Sequence, residues 1–242
     1  MAAMTLPLTI FLPAFYASVI GINLAVVGIV FTVVRIADLF FDPFVGGLMD
    51  RTNTRWGRFR PWMVLGAPVV MIGAAMLFLA SPGVGPLYLA SALVIAYGGY
   101  SIVILSQMGL GATMTPDYKE RSRVFAWWQI FNLCGLILVL LFPPALTLVM
   151  HVDQTVTVRS MGLLILVLTP ITIIAATIMV PDPARTGKQG HQHLPIAAYL
   201  SLFRLKSTRL LLLTVLFNGL ALGISASVFV FFFQLMKNIS AE

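Results

Sequence analysis

Arg35-Ile-Ala-Asp38-Leu-Phe-Phe-Asp42-Pro43 governs the reading of the whole chain. Asp38 and Asp42 are four residues apart and Arg35 precedes Asp38 by three, so in a helix all three ionisable groups share one face. They lie in a run from 24 to 49 that is otherwise apolar enough to cross a bilayer. A charge at membrane depth costs roughly 2.5–3.5 kcal/mol on insertion scales, so such groups face a bundle interior or a wet cavity and mark an ion or substrate path.

The rest of the chain agrees with a membrane setting. Of its 242 residues 60% are hydrophobic and 10% charged, and the mean hydropathy is +0.99; this is the composition of an all-α polytopic membrane protein, not of a soluble core. The formal charge of +7 does not point to nucleic acid, because the basic residues form short clusters between apolar spans. The single cysteine, Cys134, excludes an internal disulfide and a cysteine-based metal site and reads as a small packing residue. No soluble-enzyme constellation stands out: the histidines lie in loops, no Gly-rich phosphate cradle precedes a helix and no serine sits in a nucleophile turn. The chain is therefore not expected to be an enzyme. With no basic n-region and no small-residue cleavage site, the first apolar run is expected to be retained as a helix.

Crossing the hydrocarbon core takes about 20 apolar residues, and seven such spans are read at 4–20, 24–49, 61–80, 87–114, 124–149, 160–180 and 209–236. The connections alternate. The stretch from Arg51 to Arg60 is strongly basic, Ser81-Pro-Gly-Val-Gly-Pro86 is uncharged, and Lys119-Glu-Arg121-Ser-Arg123 is basic again. Of the 15 Lys and Arg residues, twelve fall on one side, Arg159 and Lys237 on the other, and Arg35 within a span. By the positive-inside rule the crowded side is cytoplasmic, which places the N-terminus inside and makes this a multi-pass protein of the cytoplasmic (inner) membrane. A seven-span receptor would need the opposite orientation.

Composition changes between 181 and 208. Pro181-Asp-Pro183 stops the sixth span, and Gly187, Gly190 and His191-Gln-His193 are polar. Residues 4–180 thus read as a six-helix N-terminal transmembrane bundle, 181–208 as a cytoplasmic linker and 209–236 as a seventh transmembrane helix that starts a second bundle. His191 and His193 read as part of a solvated loop, and 194–203 as an amphipathic surface helix. Six spans, a linker and one more span suggest a missing C-terminal half or a partner subunit, since transporters of this kind bind substrate between two repeats.

Between the second and third spans the sequence runs Gly46-Gly47-Leu-Met-Asp50-Arg51-Thr-Asn-Thr-Arg55-Trp-Gly57-Arg58-Phe-Arg60-Pro61-Trp62. A basic topology anchor accounts for its charges but not for the ordered Gly-x-x-x-Asp-Arg and Trp-Gly-Arg-x-Arg-Pro-Trp patterns. Together with Arg35-x-x-Asp38-x-x-x-Asp42-Pro43-x-x-Gly46 and Met114-Thr-Pro-Asp117-Tyr-Lys119-Glu-Arg121-Ser122, this loop resembles the glycoside-pentoside-hexuronide:cation symporters, a branch of the major facilitator superfamily that includes melibiose permease. The likeness covers the first six spans and the linker. It implies a twelve-helix fold, of which this chain holds the N-terminal six-helix bundle plus one further transmembrane helix.

The resemblance also implies roles. The two acids of the second span, here Asp38 and Asp42, would bind the coupling cation, with Ser101 matching a hydroxyl that helps coordinate it. Physics agrees, because two nearby carboxylates in a low dielectric repel and are relieved by a proton or a hard cation such as sodium. Arg35 would partly neutralise the pair when no cation is bound. The alternative is a buried salt-bridge network that only locks helices together. Phe41 stands where melibiose permease has an asparagine near the cation, and protons need fewer ligands than sodium; the coupling ion is expected to be one of the two. The loop would form a cytoplasmic latch through Asp50, Arg51, Arg55, Arg58 and Arg60. No cofactor is implied, and no metal beyond a transported sodium ion.

The solute side carries less. The acids that grip a galactoside in melibiose permease align here near Ala2 and Ile104, and its fifth-helix arginine aligns with Trp128, so that specificity does not transfer. Trp128, Gln129 and Asn132 share a helical face; an indole can stack on a sugar ring and amides can bond hydroxyls. Trp127 and Trp128 also suit interfacial anchors. Tyr16, Tyr97, Tyr100, Gln107 and Asn218 are further polar or aromatic groups within spans. The expected function is cation-coupled symport of a sugar or related small polar solute, the partners being that solute, the cation and the lipid bilayer, with no nucleic acid. The alternative is a non-transporting fragment, or a half-size scaffold or channel that works only as an assembly.

Overall fold

The computed structural model describes Met4 and residues 7–150, 154–180 and 205–239. Among the described residues, a π-helical turn at Pro7–Phe11 is followed by seven α-helices: α1 (Leu12–Ser18), α2 (Leu24–Arg51), α3 (Arg60–Phe78), α4 (Pro86–Thr113), α5 (Tyr118–Met150), α6 (Gln154–Met179) and α7 (Lys206–Ile239). Five helical stretches among the described residues are long and apolar enough to cross a membrane: Leu24–Arg51, Arg60–Phe78, Pro86–Thr113, Tyr118–Phe142 and Thr155–Met179. No strand occurs among the described residues; one isolated bridge joins Thr54 and Gly57. The protein is thus an all-α polytopic membrane protein. The chain divides into two compact units, Met1–Gly187 and Lys188–Glu242. The first carries α1–α6 and the second α7. The three histidines and the surface helix expected at 194–203 lie outside the described residues.

Several element boundaries depart from the hydropathy reading, among them that of α7, which begins at Lys206, inside the expected linker. The span expected at 4–20 is not one even helix: Pro13 stands in the first turn of α1, and a proline has no N–H for the carbonyl four residues back, so the backbone before it widens into the π turn. Helix α5 begins at Tyr118, six residues ahead of the expected 124, so Lys119–Arg123 forms its first turns instead of a loop. Asp117 explains this start, because its carboxylate accepts from Lys119 N–H at 3.0 Å and its carbonyl from Arg121 N–H at 3.0 Å. Helix α6 likewise begins at Gln154 and takes in Arg159, ahead of the expected 160. Between α1 and α2, Gly21 takes φ +88, a region closed to most side chains. Asn23 then caps α2 by accepting from Ala25 N–H at 2.9 Å.

Helices α3 and α4 form the centre of the first unit. They approach so closely that a Cβ added at Gly73 would stand 2.5 Å from the Ala96 backbone, and one at Gly99 2.5 Å from the Val70 nitrogen. Small residues at these crossings replace hydrophobic driving force with close backbone contact, as membrane helices require. Helix α6 packs on α3, and α2 packs on α4. Tyr16 of α1 is fully buried and donates to the Leu77 carbonyl at 3.1 Å. Leu77 lies in the last turn of α3, where carbonyls have no intrahelical donor, so Tyr16 caps that helix. Cys134 is exposed, contrary to the packing role expected of it.

Candidate functional site

The buried residues of α2 are Val27, Val34, Val45 and Met49. Steps of four, four and three residues carry this stripe from Val34 through Asp38 and Asp42 to Val45, so helical periodicity puts both acids on the face turned to α4. Ser101 of α4, 2% exposed, donates its hydroxyl to Asp38 Oδ1 at 3.0 Å. Asp42 is half-buried, and its Oδ1 is buried without a hydrogen-bond partner among the described residues. Asp38 also feels the charges of Asp42 and Arg35. Pro43 adds a further oxygen at this level: it has no N–H to offer the carbonyl of Leu39. Beside the acids, the Phe41 ring lies 3.6 Å from where a Gly98 Cβ would stand, giving the site an apolar wall against α4.

A carboxylate with an unmet oxygen, a second carboxylate on the same face and one hydroxyl form a hard-oxygen set suited to a proton or a small hard cation. Among the described residues no group of three or more His, Cys, Asp or Glu gathers.

Arg35 lies close enough for Asp38 to feel its charge. The ion pairs among the described residues are Arg58–Asp50 and Arg123–Glu120, so Arg35 closes on neither acid. Its guanidinium lies instead 4.2 Å from the centroid of the Tyr97 ring, a cation–π arrangement, and Tyr97 is itself 2% exposed. Tyr97 is four residues before Ser101, on the same face of α4. That spacing was the available signal, but the register of α2 against α4 is needed to use it.

The solute-side candidates are less concentrated. Tyr100 is half-buried on α4; Trp128 and Asn132 of α5 are half-buried, and Gln129 is exposed. Trp127 is 61% exposed and pairs with Phe131 at 6.1 Å between ring centroids, which fits a lipid-facing anchor. Among the described residues no hydrogen bond or ion pair joins Trp128, Gln129 or Asn132 to the acids.

The loop between α2 and α3 is tightly held. Arg58 pairs with Asp50, donates to the Met49 carbonyl at 3.1 Å and lies 4.9 Å from the centroid of the Phe59 ring. Arg60 donates through Nε to the Val180 carbonyl at 3.1 Å and through its terminal nitrogen to the same oxygen. Both arginines thus meet the negative ends of helices, those of α2 and α6. Trp62 Nε1 donates to Thr52 Oγ1 at 2.9 Å. Arg51 and Arg55 are exposed.

Comparison with known proteins accords with this arrangement. The family described as MFS/sugar transport protein matches residues 1–241. The inner membrane symporter YicJ of Escherichia coli is 32% identical over 135 residues, 53% of this chain and 29% of that protein. The glucuronide carrier protein homolog of Escherichia coli is 33% identical over 48% of this chain and 26% of its own length. The raffinose carrier protein of Pediococcus pentosaceus is 28% identical over 231 residues, 86% of this chain and 35% of that protein. The chain therefore spans about a third or less of the length of these relatives. With a family match over nearly all its residues, and with motifs like those of the glycoside-pentoside-hexuronide:cation symporters, this chain belongs to the MFS/sugar transport family.

Proposed function

We propose that the chain supplies the N-terminal bundle, residues 4–180, of a cation-coupled sugar symporter, followed by a linker at 181–208 and a seventh span at 209–236. The observation that carries this reading is the α2–α4 site: Ser101 bonded to Asp38 at 3.0 Å beside an Asp42 oxygen that is buried and unpartnered. A buried carboxylate oxygen left unmet is costly, and a coupling proton or sodium ion would meet it. Asp38, Asp42 and Ser101 hold the cation. Arg35, stacked on Tyr97, keeps a positive charge near the pair without closing on it, so the acids stay open to the ion.

A second bundle, from the remainder of a longer polypeptide or from a partner subunit, would close the solute site, with Tyr100, Trp128, Gln129 and Asn132 lining this half. Relatives carrying raffinose or glucuronides by name support a sugar or sugar derivative as the solute. Cation binding removes net charge from the face of α2 and favours the solute-bound state, and the two halves then rock around a midplane site. A cytoplasmic N-terminus is part of this reading, and the basic connections support it. Asp50, Arg58 and Arg60 hold the cytoplasmic latch loop in place, and Arg51 and Arg55 lie on its exposed side. The test is Asp42→Asn in the longest natural polypeptide that contains this segment: membrane insertion persists and uphill sugar accumulation is lost. Retained uphill accumulation would remove the coupling role.

A further inference from the structure

Residues 54–57 form a four-residue turn closed in both directions. Thr54 N–H donates to the Gly57 carbonyl at 3.3 Å, Gly57 N–H to the Thr54 carbonyl at 3.1 Å, and the Thr54 hydroxyl to the Gly57 carbonyl at 2.6 Å. Gly57 takes φ +103, which lets the turn close. The two residues at its tip are Arg55 and Trp56, both exposed, the indole 69% so. An indole this exposed gains nothing from the protein interior, yet the loop on either side is fixed by the Arg58, Phe59 and Trp62 contacts. Phe59 is buried against Gly109 of α4. The tip is therefore presented, not loose.

Its height follows from helix length. Helix α2 has 28 residues, about 42 Å at 1.5 Å per residue, against about 30 Å of hydrocarbon. Its C-terminal Arg51 thus emerges among the headgroups, and a turn tied back to Met49 and Thr52 stays at that level. Arg51 is exposed, and neither it nor Arg55 has a hydrogen bond or ion pair among the described residues. Two uncommitted guanidiniums and an indole at the polar–apolar boundary match a phosphate group attached to an acyl chain: arginine pairs with phosphate through parallel donors, and tryptophan prefers the interface.

We propose that Arg51, Arg55 and Trp56 form a docking site for the phosphate headgroup of an anionic phospholipid. The loop's arginines then divide their work, Arg58 and Arg60 holding helix ends of their own bundle and Arg51 and Arg55 holding lipid.

The test reconstitutes the natural polypeptide in phosphatidylcholine vesicles carrying bromine either on phosphatidylglycerol or on phosphatidylcholine, and reads the fluorescence quenching that disappears in Trp56→Phe. Brominated phosphatidylglycerol should quench Trp56 in preference to brominated phosphatidylcholine, and each of Arg51→Gln and Arg55→Gln should weaken that preference about five-fold. Arg123→Gln, whose partner is Glu120, should leave it unchanged. Equal quenching by the two lipids would reduce Trp56 to a plain interfacial anchor and overturn the proposal. Absence of quenching by either lipid would also overturn it. Loss of the preference on adding inorganic phosphate, but not chloride of equal ionic strength, would assign the site to a free anion instead. Arg55→Gln, at the turn tip, removes no contact within the bundle and keeps the test valid if Arg51→Gln does not insert.

Discussion

Ser101→Ala would report both the site and the identity of its ion. Ser101 is 2% exposed, so alanine removes one oxygen with little repacking, and the one lost hydrogen bond is the 3.0 Å donation to Asp38 Oδ1. Hydrogen bonds to charged groups are worth about 1.5–3 kcal/mol, which corresponds to a roughly 10- to 150-fold change in ion affinity. The sign depends on the ion. Sodium would lose an oxygen ligand and bind more weakly. A proton competes only with the ionised carboxylate that the serine stabilises, so it would bind more tightly once that donor is gone. The assay is sugar uptake into membrane vesicles as a function of sodium at fixed pH and of pH without sodium, for wild type, Ser101→Ala and Ser101→Thr. Threonine keeps the hydroxyl and should restore wild-type dependence. A half-saturating concentration that stays within about two-fold for both ions would refute the idea that Ser101 and Asp38 share the cation.

Two further predictions concern the scaffold. Gly73→Val drives a side chain into the Ala96 backbone and should destabilise the α3–α4 seam by about 1–3 kcal/mol, read as earlier thermal aggregation in detergent; an unchanged midpoint would mean that the helices can separate there without loss. Tyr16→Phe strips the Leu77 carbonyl of its cap and should cost about 0.5–1.5 kcal/mol, a smaller shift in the same assay, with uptake per folded molecule unchanged.

Hydropathy located membrane segments better than helices. The expected 24–49 and 87–114 compare with Leu24–Arg51 and Pro86–Thr113, because the apolar runs there, broken in the first by Arg35, Asp38 and Asp42, end in turn or basic residues. At α5 the measure stopped at the last charge, whereas Lys, Glu and Arg are good helix formers and Asp117 caps two turns earlier. At the first span it missed Pro13, whose backbone effect no hydrophobicity scale contains.

The site divides in the same way. Asp38 and Asp42 were legible because intramembrane acids are expensive and their spacing is helical, and the family resemblance pointed to Ser101. The stacking of Arg35 on Tyr97 was not legible, since it depends on how α2 is set against α4, a register that no local sequence pattern encodes. The same limit applies to Cys134, which periodicity alone could not assign to the exposed side of α5.

The most direct test of the central account is ion movement driven by sugar. In proteoliposomes of the natural polypeptide containing this bundle, with no ion gradient imposed, an inward sugar gradient should carry sodium or protons inward, and Asp42→Asn should abolish that ion flux. Sugar entering down its gradient with no accompanying cation in the wild-type protein would contradict the account, leaving Asp38 and Asp42 as a structural pair.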